Sequence, residues 1–117
     1  MTIQHADFGE IIGTVDFIMH SPSGKKRKVI LRIGKPYEHQ SGDWACPVEL
    51  NGYEPRYADI FGVSSMQALC LAISLVRTRI HDFISKGGRI TDGDADSNAK
   101  DVEALFGSIG IDDNNAV

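Results

Sequence analysis

From Ile11 to Met19 the side chains alternate with a period of two. Ile11, Gly13, Val15, Phe17 and Met19 fall on one face, and Ile12, Thr14, Asp16 and Ile18 on the other. That is the pattern of a strand. Ser21-Pro22-Ser23-Gly24 follows with turn chemistry. Val29, Leu31 and Ile33 then alternate against Lys28, Ile30 and Arg32, so the first two runs read as a hairpin. Gly34-Lys35-Pro36 closes the second strand. A third strand fits Trp44 to Leu50, with Trp44, Cys46, Val48 and Leu50 on one face. Pro47 lies on the opposite face and has no N–H to donate, which favours an edge strand or a bulge there. Asn51-Gly52 is a turn signal, and Arg56 to Phe61 reads as a short fourth strand.

The period then changes. Ser64 and Gln67 have capping-box spacing, and Met66, Leu69, Cys70, Ile73, Val76, Ile80, Phe83 and Ile84 recur at helical intervals. Gly87-Gly88 ends the run. Ala68, Leu71, Ala72 and Leu75 widen its apolar surface, so the first half of this helix is expected to be buried around most of its circumference. Arg77, Arg79, Asp82 and Lys86 make the second half amphipathic. The pattern predicts an α+β fold: an antiparallel sheet of about four strands packed by one long helix over about 64–86, with a short C-terminal helical turn. Residues 1–8 read as a lead-in and 9–90 as a single domain. Residues 91–117 read as an acidic loop, a short helix and a frayed end, with Val102, Leu105 and Phe106 docking on the domain.

Composition narrows the function classes. A chain of 117 residues can bury a core without disulfides or a structural metal. Its hydrophobic fraction of 42% and charged fraction of 24% are those of a globular protein. Twelve Lys and Arg against sixteen Asp and Glu give a net charge of −4, which argues against DNA binding through overall positive charge. Cys46 and Cys70 form no C-x-x-C pair, the first ten residues lack a signal-peptide pattern, and no apolar stretch is long enough to span a membrane. The expected location is cytoplasmic.

Candidate chemistry is sparse. Asp92, Asp94, Asp96, Asn98 and Glu103 fall at positions 1, 3, 5, 7 and 12 of a calcium loop. Ser97 occupies the position where glycine makes the sharp turn, and the long helix ends well before Asp92. The segment therefore reads as a solvated acidic linker, and no metal or other cofactor is expected. Lys25-Lys26-Arg27-Lys28 could grip phosphates, but no aromatic residue is interleaved, and a solvated hairpin tip is the better reading than nucleic-acid binding. Cys46 could pair with His39 or His20 as nucleophile and base, yet it falls on the apolar face of its strand, and Cys70 falls within the helix's apolar stripe. Tyr37, Trp44, Tyr53 and Tyr57 gather around loops and strand ends in the middle third, where tyrosines suit a recognition surface.

The stretches Arg32-Ile33-Gly34-Lys35-Pro36, Trp44-Ala45-Cys46-Pro47 and Gly62-Val63-Ser64-Ser65-Met66-Gln67-Ala68-Leu69 resemble a family of small bacterial domains with a G-K-P turn, a W-x-C strand and a Q-A-L helix start. The resemblance covers roughly residues 10–86. It implies a bacterial source and a sheet-plus-helix domain, and it carries over no catalytic residues.

With no catalytic constellation, the chain reads as a non-enzymatic protein-binding domain, most specifically an immunity protein that neutralises a bacterial toxin. An acidic balance suits a basic partner. The contacts expected are Asp92, Asp94, Asp96 and Asp101, with Tyr53 and Tyr57 as aromatic anchors. The alternatives are a self-associating regulatory or structural module, a homodimer through the sheet edge near Pro47 or the exposed helix half, and a small enzyme assembled from His39, Asp43 and Cys46. No membrane partner is expected.

Overall fold

The computed structural model describes residues 8–93 and 98–107. Strands β1 (Ile11–His20) and β2 (Lys26–Gly34) form the hairpin, with Phe17 opposite Val29 and Met19 opposite Arg27. Gly24 takes a positive φ at the turn. Strand β3 (Tyr37–Glu38) is short, and β4 (Trp44–Cys46) and β5 (Val48–Asn51) follow on either side of Pro47. Strand β6 (Ile60–Gly62) leads into helix α1 (Ser65–Ser85); β7 (Arg89–Thr91) and the single-turn α2 (Glu103–Phe106) complete the fold.

The fold is α+β, with the four-stranded antiparallel sheet expected and a second, smaller one beside it. The first sheet has the order β5-β2-β1-β7 and the second β3-β4-β6. The run Trp44–Leu50 is thus not one strand. Its first part pairs with β3 and β6, and its second part pairs with β2. Pro47 is the corner at which the chain leaves one sheet for the other. It is buried, and its carbonyl accepts from the Gly34 amide at 2.8 Å. A residue without an N–H suits a position between two ladders better than one inside either.

Helix α1 starts at the capping-box residues, with the return bond from Gln67 reaching the residue before the cap. Ser64 Oγ accepts from the Gln67 amide at 3.0 Å, and Gln67 Oε1 accepts from the Val63 amide at 2.7 Å. The far end closes at Gly87, whose φ of +100° favours glycine. The buried line of the helix is Ala68, Ala72, Val76 and Ile80, one residue per turn. The alanines let the helix backbone approach the strands closely. Against that line pack Phe17, Met19, Val29, Leu31, Ile33, Cys46, Val48, Leu50, Ile90 and Val102, which form one core. That core reaches past Ile90: β7 pairs with β1, and Val102 is buried as expected, with Leu105 and Phe106 packed against it.

One expectation fails. The first half of α1 is not enclosed: Met66 is 66% exposed, Leu71 is 46% exposed, and Cys70 faces solvent. The buried line is one residue wide because the small sheet, only three short strands across, covers a single side of the helix.

Candidate binding surface

The inner face of the small sheet carries Trp44, Cys46, Ile60 and Gly62 toward α1; alternation therefore places Tyr37, Ala45, Asp59 and Phe61 on the outer face. The register sets Tyr37, Ala45 and Phe61 side by side across the three strands. Tyr37 and Phe61 are exposed, while Ala45 between them is fully buried, as a methyl becomes when rings close over it. His39 packs edge-on against Phe61 at 5.0 Å between ring centroids, and its Nδ1 lies 3.0 Å from Ser41 Oγ. Val63, 76% exposed, and Met66 continue the apolar surface from β6 into the first turn of α1.

One end of this face opens into a hollow of about 660 Å³ lined by Phe8, Glu10, Lys35, Tyr37, Arg56 and Asp59, among others. Asp59 organises it. One carboxylate oxygen accepts from the Tyr37 hydroxyl at 2.6 Å, and the other pairs with Arg56 at 3.1 Å. The Arg56 guanidinium lies 4.7 Å above the Phe8 ring. Because the Asp59 carboxylate holds the phenolic proton, Tyr37 is pushed up to about 12. Tyr37 is therefore a fixed hydrogen-bond donor at neutral pH, not a titrating group. The Lys35-Pro36 turn out of β2 forms part of the rim. Exposed carboxylates at Glu10, which lines the hollow, and Asp43, next to β4, lie beside this face, with Lys35 as an exposed cation; Glu38, opposite Trp44, belongs to the inner face.

Among the described residues, the positions expected from sequence stand in separate settings. Tyr57 is half-buried and hydrogen-bonds to Glu54, which Arg79 of α1 holds with two bonds of 3.1 and 2.6 Å. That guanidinium holds the Glu54 carboxyl below its ordinary range, while burial and the Glu54 bond push the Tyr57 hydroxyl up. Tyr57 thus anchors the 53–57 loop to the helix. Tyr53 stacks edge-on against Phe83. Asp92 lies in a separate hollow beside Asp16 and Lys28, 3.9 Å from Lys100 Nζ, and Asp101 accepts from the Ala104 amide at the start of α2. Asp94 and Asp96 lie outside the described residues. Of the calcium-loop pattern, Asp92 and Glu103 are engaged by Lys100 and Arg77, and among the described residues no group of three or more His, Cys, Asp and Glu is placed to hold a metal ion. Arg56, Asp59, Phe61 and Met66 had no sequence signal beyond the excess apolar width of the helix.

Cys46 faces the core. Its thiol donates to the Gly34 carbonyl at 3.4 Å, and burial pushes it up to about 11, so it is protonated at neutral pH. The His39 ring packs on Phe61 instead. Iodoacetamide at pH 8 is expected to label Cys70 and spare Cys46 in the native protein, with both labelled in urea; peptide mass spectrometry reads the outcome. Rapid native labelling of Cys46 would restore a nucleophile at that position.

A family model described as a domain of unknown function (DUF6968) matches residues 17–98, more than half of the chain. No curated protein and no solved structure matches it.

Proposed function

The chain belongs to this family of unknown function, and from that premise we propose that it is a non-enzymatic protein-binding domain whose contact surface is the outer face of the small sheet. The observation that carries the reading is the aromatic face itself: Tyr37 and Phe61 stand exposed on the two strands that flank buried Ala45, the exposed Val63 and Met66 follow in the chain, and the exposed carboxylates of Glu10 and Asp43 lie beside it. Aromatic and Met side chains are enriched in interface centres, and charged residues belong at the rim. Such a rim favours a basic partner and speeds its encounter.

The specific form is an immunity protein that caps a toxin domain. Neutralisation asks only for a stoichiometric, well-seated block, and a small domain with a preformed face supplies that without catalysis. The acidic balance enters differently from the sequence expectation. The acidity useful to this face is that of Glu10 and Asp43 beside it.

The test is co-expression with the product of a neighbouring toxin gene. Wild-type protein is expected to restore growth and to form a 1:1 complex in size-exclusion chromatography. Phe61→Glu places a charge at the centre of the face and is expected to weaken the complex by at least about 2 kcal/mol, roughly thirtyfold, with an unchanged circular dichroism spectrum. Equal protection by a folded Phe61→Glu variant removes this surface from the interface. A wild-type dimer in light scattering that Phe61→Glu dissociates assigns the face to self-association.

A further inference from the structure

A second surface, sharing no residue with the first, lies where the β1–β2 hairpin tip meets the end of α1. Met19, Ser21, Lys25, Arg27, Tyr53 and Phe83 line a hollow of about 180 Å³ there. Its apolar part is made by Met19 with the Tyr53 and Phe83 rings, whose centroids are 5.6 Å apart at 72°. Met19 and Arg27 are directly opposed in the hairpin register, so the apolar base and a cation of the rim belong to one cross-strand pair. The Arg27 guanidinium donates to the Tyr53 carbonyl at 3.4 Å, which ties the tip to the loop after β5.

Size and charge select the occupant. Pockets for cofactors and drug-sized ligands run from about 300 Å³ upward, so this hollow takes a single side chain. Its lining carries two exposed cations, Lys25 and Arg27, while Lys26 and Lys28 alternate onto the other face of the hairpin. Among the described residues neither Lys25 nor Arg27 pairs with a carboxylate; the ion pair of this hairpin, Lys28 with Asp16 at 3.9 Å, lies on the opposite face. A cationic mouth over an aromatic slot suits a chain that offers one large apolar side chain between carboxylates. We propose that this hollow is a docking site for an acidic peptide segment of a partner protein, with its apolar side chain seated between Met19, Tyr53 and Phe83 and its flanking carboxylates on Lys25 and Arg27.

The site extends the protein's binding capacity beyond the aromatic face, and its test is independent of that reading. The probe is a fluorescein-labelled five-residue peptide with one phenylalanine between two acidic pairs, titrated into the full chain at low salt and followed by anisotropy and by side-chain NMR. Saturable binding is expected, with shifts at the Met19 methyl and at the Tyr53 and Phe83 rings. A Lys25→Glu variant, altered at an exposed position, is expected to bind at least tenfold more weakly. Replacing the peptide's phenylalanine by glycine is expected to lower affinity to a similar extent, because the apolar anchor carries the specificity. Equal affinity of the glycine peptide would reduce the site to non-specific charge attraction and overturn the proposal. So would absence of saturable binding, or binding to phosphatidylserine vesicles without binding to the peptide, which would assign the tip to a lipid surface.

Discussion

Phe17→Ala is expected to lower the melting temperature by at least about 10 °C. Phe17 is buried in the middle of the hairpin, opposite Val29, on the face that meets α1. Removing its ring takes away the transfer energy of the lost atoms and leaves a cavity that close-packed neighbours cannot fill, together about 3–5 kcal/mol. A domain of this size is stable by about 5–15 kcal/mol, so the loss is a large share of the whole. Each kcal/mol is worth several degrees, about 4–8 °C in a 60–100-residue domain and less in a larger one. Ile11 lies at the other end of the same strand and is exposed, so Ile11→Ala should change stability by less than about 0.5 kcal/mol. Calorimetry on both variants decides it. A fall of under about 5 °C for Phe17→Ala would mean that the sheet and helix do not close around this ring.

The second large effect comes from the smallest substitution. A Cβ built at Gly62 would lie 2.6 Å from the Ala68 amide nitrogen and 3.0 Å from Ala68 Cα and the Gln67 carbonyl carbon. All three are backbone atoms of the first turn of α1, and none can rotate away as a side-chain tip would. Gly62→Ala must push the helix start off β6, at a cost of about 1–3 kcal/mol in overpacking. The displacement carries Val63 and Met66 with it. Partner binding through the aromatic face is therefore expected to fall together with stability. Gly13→Ala is the control, since a Cβ there meets nothing within 4 Å. Urea unfolding and complex formation measured on both variants give the answer; wild-type behaviour of Gly62→Ala would rule out the close approach of strand and helix.

Much of the fold is legible in the chain because period and punctuation agree. The β1–β2 hairpin and α1 each combine a long regular pattern with clear ends, Pro22-Ser23-Gly24 for one and Ser64, Gln67 and Gly87 for the other. Strand β3 has only two residues, and β7 only three, too few for any period to register. Their places are set by partners distant in the chain: β7 exists because β1 offers it an edge. Pro47 signals an irregularity but not its scale, since the same missing N–H serves a bulge, an edge or a change of sheet.

The candidate site was harder to read for a specific reason. Apolar residues on the first half of α1 fit burial and exposure equally well from periodicity. What decides between them is the width of the sheet laid against the helix, which is a property of the assembled fold. Tyr37 was visible as a surface aromatic, but its partner Asp59 is 22 residues away and Phe61 is reached only through the pairing of β3 and β6 with β4. Tyr53 and Tyr57 looked equivalent in sequence. The Glu54–Arg79 pair makes Tyr57 part of the scaffold, while Tyr53 faces the hollow at the hairpin tip.

The corner at Pro47 has a mechanical consequence. The chain passes from β4 to β5 with no linker, and the Gly34 amide clamps the Pro47 carbonyl at the crossing. A pull on Tyr37 or Phe61 therefore enters β4 and is handed directly to β5 and, through it, to β2 and β1 of the larger sheet. The small sheet acts as a handle bolted to its shaft, with no hinge to absorb load. A partner gripping it would stop the whole body at once and lose little affinity to wobble between the two parts.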